Sequence, residues 1–210
     1  MIIFSNINIS CNRKKWTEEK EKILLKFLDE HKDHQKIANG NTFDLLLNTS
    51  EEIVENKKNL VKRLNEDNII WICGDRDPKK ILSEIIKKPV YEKVCIGEVL
   101  IMNGYQFDIF NTRLRTTYNL ITRFEKFLKL DRLKTIIKIN DLILKIRKYR
   151  KDIIKQEAIN FIKDCRNINK IILGYPSKKE IFVCHYGGRN ISYFNSGYCL
   201  NGDYVQIQNI

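Results

Sequence analysis

Proline is scarce, with only three residues in 210, histidine occurs just three times, and no apolar run approaches the roughly 18 residues needed to span a bilayer. A transmembrane helix is therefore not expected. With 43% hydrophobic and 30% charged residues, the composition excludes a disordered or low-complexity chain and favours a globular one. No internal repeat and no proline-, glycine- or serine-rich linker divides the chain, so one domain over 1–210 is expected. The first residues carry no basic stretch ahead of an apolar one, and Asn6 and Asn8 interrupt the first apolar run, so a secretory signal is not expected. The six cysteines, at 11, 73, 95, 165, 184 and 199, include no Cys-x-x-Cys pair. Reduced thiols in a cytoplasmic protein are the expectation, rather than disulfides or a zinc cage.

Acidic residues are also in deficit, giving a net charge of +12, and the deficit is local. Between Thr112 and Lys170 there are 17 Lys and Arg against 6 Asp and Glu, nearly the whole excess. The same stretch carries Leu133, Ile136, Ile139, Ile143, Ile146, Tyr149 and Ile153, spaced three or four apart as one helical stripe. This reads as a basic helical insertion over 112–166. Arg113, Arg115, Lys145, Arg147, Lys148, Arg150 and Lys151 are its candidate polyanion contacts, for nucleic acid phosphates, an anionic lipid surface or an acidic protein. The plain alternative is a solvated outer face whose apolar stripe packs on the domain.

Apolar runs that end abruptly at glycine or asparagine organise the rest. Ile69-Ile70-Trp71-Ile72-Cys73 runs into Gly74-Asp75-Arg76-Asp77, and Ile2-Ile3-Phe4-Ser5 into Asn6-Ile7-Asn8. Lys36-Ile37-Ala38-Asn39 runs into Gly40-Asn41-Thr42-Phe43-Asp44, Val99-Leu100-Ile101-Met102 into Asn103-Gly104, and Ile171-Ile172-Leu173 into Gly174-Tyr175-Pro176-Ser177. Such runs read as buried strands, and ligands in α/β sheets sit beyond strand C-terminal ends. Five strand ends bearing polar residues imply one composite site.

Between the strands, Thr17-Glu18-Glu19 and Thr49-Ser50-Glu51-Glu52 are helix starts. The first opens a helix with Ile23, Leu24, Phe27 and Leu28 inward. The second opens one running to Glu66 with Ile53, Leu60, Val61 and Leu64 inward. Pro78 opens a short helix over Lys79 to Lys87 whose inward residues are Ile81, Leu82, Ile85 and Ile86. Tyr91 to Ile96 and Glu98 to Met102 form a hairpin about Gly97, and strands return at Lys170 to Leu173, Glu180 to His185, Asn190 to Phe194 and Tyr204 to Gln208. The alternation argues for a layered α/β domain.

The order of these motifs resembles that of the calcineurin-like metallophosphoesterases, which carry Asp-x-His, Gly-Asp-x-x-Asp, Gly-Asn-His-Asp, a His before Gly, and Gly-His-x-His. Asn103-Gly104-Tyr105-Gln106-Phe107-Asp108 is similar to the His-Gly-His-Gln-Phe-Asp of a branch that includes UDP-diacylglucosamine hydrolase-like enzymes. Tyr193-Phe194-Asn195-Ser196-Gly197 resembles the Asn-Thr-Gly strand after the last histidine motif. The resemblance covers nearly the whole chain and implies a layered β-sheet sandwich flanked by helices, with the basic insertion as a helical cap over the site. It also implies a site from which the metal ligands have gone. Asn6 and Asn41 stand where the family has Asp; Asn8, Asn103, Tyr175 and Ser177 stand where it has His. Asp75 replaces a ligand Asn and Arg76 a catalytic His.

A dimetal centre clamps phosphate and activates water, and its ions want carboxylates and imidazoles. Neutral amides and an adjacent guanidinium oppose it. No resident metal or cofactor is expected, and Arg76 is expected to pair instead with Asp44, Asp75 or Asp77. The leading reading is a pseudoenzyme that binds a protein or polyanionic partner. The alternatives are a divergent, active phosphoesterase with a Mn, Mg or Zn dimetal centre, and a nucleic-acid-associated accessory protein. Four residues invite sharper readings that the bland ones outweigh. His31 and His34 are three apart and would suit a metal, but read better as a helix end; His185 reads as structural, and Cys73 as a small buried hydrophobe rather than a nucleophile.

Overall fold

The computed structural model describes residues 1–108, 152–175 and 179–207. Strand β1 (Ile2–Phe4) leads to helix α1 (Glu18–Glu30), strand β2 (Lys36–Asn39), helices α2 (Ser50–Asn56) and α3 (Lys58–Glu66), and strand β3 (Ile69–Ile72). Helix α4 (Lys79–Ile85) and strands β4 (Val90–Tyr91), β5 (Lys93–Ile96) and β6 (Val99–Met102) follow. Residues 152–163 form helix α5, and strands β7 (Lys170–Leu173), β8 (Glu180–Tyr186), β9 (Arg189–Asn195) and β10 (Val205–Gln206) complete the described elements. The chain is of the mixed α/β class.

The start signals act as read. Thr17 caps α1 by accepting from the Lys20 N–H, and Thr49 and Glu52 close a reciprocal capping box on α2. Lys57, at φ −125° and ψ 30°, breaks the expected single helix to Glu66 into α2 and α3. Leu24, Phe27 and Leu28 of α1 are buried, whereas Ile23 is exposed. Helix α4 stops at Ile85 rather than Lys87, and its Ile81 is half-buried while Leu82 and Ile85 face the core.

Two five-stranded mixed sheets result, ordered β10-β1-β2-β3-β4 and β5-β6-β7-β9-β8. Strands β1 to β4 are parallel, joined through α1 to α4, with β10 antiparallel at the edge. In the second sheet β6, β7 and β9 are parallel, while β5 and β8 pair antiparallel with β6 and β9. The expected strand from Tyr91 to Ile96 is two strands: Tyr91 pairs with Ile72 in the first sheet, and Lys93 opens the second. The step between them carries the chain from one sheet to the other.

Strand periodicity divides the apolar residues among three cores. Ile3, Ile37 and Ile72 meet Val99, Ile101 and Ile172 between the sheets. Ile2, Phe4, Ala38 and Trp71 face the other way, onto Leu24, Ile53, Leu64 and Leu82 of the helices. On the far side of the second sheet, Leu100, Met102, Ile171, Leu173, Ile191 and Tyr193 pack against Ile154, Ala158 and Ile162 of α5. The layers run helix, sheet, sheet, helix. The stripe read from the sequence ends at Ile153, but α5 turns its neighbour Ile154 to the sheet and leaves Ile153 half-buried. Lys36 is fully buried at the start of β2, with its ammonium 3.2 Å from Asp67, the pairing that a buried cation requires. Among the described residues no helix is long and apolar enough to cross a membrane.

Candidate functional site at the strand ends

Parallel strands of both sheets end together, and the loops after β1 and β2 are laced by backbone bonds. Asn6 N donates to Gly40 O at 3.2 Å, Asn8 N to Asn41 O at 2.9 Å and Ile9 N to Thr42 O at 2.8 Å. To run side by side these loops take left-handed conformations at Asn6 (φ 57°), Asn8 (φ 56°) and Asn41 (φ 57°). Asparagine enters this region more readily than most residues with a β-carbon, so the backbone is one reason for asparagine at all three positions.

The amides are turned onto one another and onto the loops. Asn6 Nδ2 donates to Gly174 O at 2.5 Å and Gly197 O at 3.1 Å. Its Oδ1 accepts from Asn41 Nδ2 at 3.2 Å. Asn41 Oδ1 in turn accepts from the Arg76 backbone N–H at 3.2 Å. The Arg76 guanidinium donates to Asp44 Oδ1 at 3.0 Å, the Asp44 side chain being 3% exposed and Arg76 37% exposed. Lys15 Nζ is 4.0 Å from the other Asp44 oxygen. Of the three carboxylates expected for Arg76, Asp44 is thus joined to it.

Asp77 has a different task. Its oxygens accept from the N–H groups of Asn41 (2.8 Å), Thr42 (2.7 Å), Phe43 (3.4 Å) and Gly74 (2.8 Å), which clamps the loop after β2 to the turn after β3. Burial outweighs these four donors and pushes its carboxyl up to about 7. Gly74 is required here, since a β-carbon would lie 2.3 Å from Asn41 Oδ1. Asp75 occupies the same turn and is half-buried.

The second sheet joins through Asn103 and Asn39. Asn103 Nδ2 donates to Asn39 O at 2.9 Å, and Asn39 Nδ2 crosses to Ile172 O at 3.2 Å. Both side chains are fully buried, and the Oδ1 of each, like Asn8 Oδ1, accepts no hydrogen bond from the described residues. Tyr175 OH donates to the buried Asp108 at 2.9 Å. Ser5 Oγ meets Ser196 Oγ at 2.7 Å, and Asn195 Oδ1 accepts from Gly197 N at 3.0 Å. Sequence reading overlooked Ser5, Asn39, Asn195 and Ser196 as site residues. Their signal was a polar side chain closing an apolar run, as in Phe4-Ser5, Ala38-Asn39 and Phe194-Asn195.

Nine of the ten positions read as a vestigial site therefore lie in these strand-end loops: Asn6, Asn8, Asn41, Asp44, Asp75, Arg76, Asp77, Asn103 and Tyr175. Ser177 lies outside the described residues, as do Arg113, Arg115, Lys145, Arg147, Lys148, Arg150 and Lys151. Among the described residues, no three His, Cys, Asp or Glu side chains gather as a metal-holding group. The donor set fits a dimetal centre poorly. The Asn6 and Asn41 amides are engaged with each other and with backbone, and the buried carboxyls of Asp44 and Asp77 are engaged by a guanidinium and by backbone N–H groups.

The remaining candidates are accounted for locally. The His31 ring packs edge-on against Phe27 and Tyr204, at 4.8 and 5.1 Å, and lies 5.8 Å from that of His34. His185 Nδ1 is 3.1 Å from Asn190 Oδ1. Cys73 is buried, which raises its thiol and withholds the nucleophilic thiolate. None of the six cysteines is in a disulfide. The sequence matches no family model and has no significant match among curated proteins.

Proposed function

We propose that this chain is a calcineurin-like metallophosphoesterase-fold pseudoenzyme, in which a hydrogen-bonded asparagine and arginine network stands in for the dimetal centre and the protein acts through binding. The observation that carries this reading is the continuous chain Asn6, Asn41, Arg76, Asp44, in which each acceptor that would face a metal already faces a donor. A pair of divalent ions carries four positive charges, which carboxylates normally offset. Here a guanidinium would repel them. The helix, sheet, sheet, helix layering and the convergence of strand ends from both sheets agree with the fold that the motif order implies. The binding partner is a protein or a polyanion, with the basic segment around Arg113, Arg115, Lys145, Arg147, Lys148, Arg150 and Lys151 as the candidate polyanion contact. Retention on an immobilised polyanion across a salt series tests this, because charge-driven binding falls steeply with salt whereas an apolar protein interface holds. Salt-independent retention, or none at low salt, would refute the polyanion partner.

One observation favours the active alternative. The buried Oδ1 atoms of Asn8 and Asn103 accept no hydrogen bond from the described residues, and both stand where the resembling family has His. They are oxygen donors of the kind hard cations take. A residual metal-dependent phosphoesterase would draw on them, with Asp75 as the charged ligand of a Mn or Mg ion. Metal analysis together with phosphodiester hydrolysis separates the two readings.

A further inference from the structure

Strand β8 stands at the edge of the second sheet, paired only with β9 among the described residues. Sheet edges are normally guarded by Lys, Pro or a bulge. From Ile181 to Gly188 this edge has none: the residues are Ile-Phe-Val-Cys-His-Tyr-Gly-Gly. Ile181 is 64% and Val183 56% exposed, and Phe182 and Tyr186 are exposed as well. The turn fixes which backbone groups face out. Gly187 and Gly188, at φ 56° and 77°, close a two-residue hairpin on the Tyr186 and Arg189 pair. Even-numbered residues of β8 therefore bond to β9, and Ile181, Val183 and His185 present N–H and C=O to the free edge.

We infer that this edge pairs with the same edge of a second copy of the chain, antiparallel and centred on Val183. About that two-fold axis Val183 faces Val183 and Ile181 faces His185 on either side, so the outward groups of three residues satisfy one another. At each end a carboxylate of one copy comes opposite a lysine of the other. Glu180 of one copy comes opposite Tyr186 of the other, where Lys163 Nζ rests 4.7 Å from the ring centroid. Within its own copy Glu180 bonds Lys155 at 3.0 Å, and Lys155 lies over the Phe182 ring, so the acidic end is already held in place. The symmetry repeats the Glu180 and Lys163 approach at both ends. A strand of another protein could match the edge, but only a second copy guarantees this pairing of register and charge.

Sedimentation velocity of the full chain from low to high micromolar concentration tests the inference. The wild-type chain is expected to pass from monomer to dimer. Val183→Lys should weaken dimerisation at least about tenfold, a loss of about 1.4 kcal/mol, while keeping the wild-type melting temperature at concentrations where both chains are monomeric. Val183→Pro should act alike, since the lost N–H points away from β9. Ile23→Lys, which alters an exposed apolar residue on α1, should dimerise as the wild type does. A wild-type chain that stays monomeric throughout overturns the inference, as does Val183→Lys dimerising with unchanged affinity.

Discussion

Removing the Arg76 guanidinium tests whether the strand-end network is structural. In Arg76→Ala, the 3.0 Å bond to Asp44 Oδ1 is lost and a carboxylate only 3% exposed is left with Lys15 at 4.0 Å. Breaking a fully buried ion pair costs about 3–5 kcal/mol, and a hydrogen bond to a charged group contributes about 1.5–3 kcal/mol. Arg76 is 37% exposed, so solvent screening lowers the figure to about 1–3 kcal/mol. At about 2–4 °C per kcal/mol for a chain of this length, the melting temperature should fall by about 2–12 °C. Calorimetry or urea unfolding reads the loss. The cycle with Asp44→Asn isolates the pair, because once the carboxylate is neutral, Arg76→Ala should cost about 1 kcal/mol less. A melting temperature within a degree of wild type, or strictly additive substitutions, would refute the argument.

Asp77 makes stability depend on pH in an unusual direction. Its carboxyl is pushed up to about 7 in the folded chain from an ordinary 3.8, so the folded state holds the proton more tightly. Its contribution is full below about pH 4 and is lost as pH rises to about 7, with a ceiling of about 4 kcal/mol. In Asp77→Asn that fall should vanish, and melting profiles of the two proteins that run parallel from pH 4 to 8 would refute it. Introducing acidity makes the opposite test. Asn6→Asp with Asn41→Asp places two carboxylates in buried positions and removes the amide donors of both residues, so the melting temperature should drop without divalent ions and recover with Mn²⁺. Equal stabilisation of the wild type by Mn²⁺ would contradict the account.

Strands and the convergence of their ends were legible because each apolar run halts at glycine or asparagine, a signal local to the chain. Tyr91 was placed in the wrong strand because no proline or glycine interrupts the chain between Tyr91 and Gly97, so nothing marks a change of sheet. Lys57 breaks its helix without proline or glycine, so the break was not visible either. The pairing of Arg76 with Asp44 followed from charge, but the choice among three carboxylates needed the structure. Asp77 is occupied by four backbone N–H groups, three of them from a loop more than thirty residues away. Ser5, Asn39, Asn195 and Ser196 were not read as site residues because polar residues at strand ends are common, and only the meeting of two sheets makes them a network.

The proposal that the strand-end site does not run metal-dependent hydrolysis is tested most directly by metal content measured alongside bis-p-nitrophenyl phosphate hydrolysis on one preparation. With Mn²⁺ supplied and Asp75→Ala as the control, the account predicts no tightly held metal and no turnover above the control. Stoichiometric metal with turnover that depends on Asp75 would contradict it, and Asn8 and Asn103 would then be the ligands to examine.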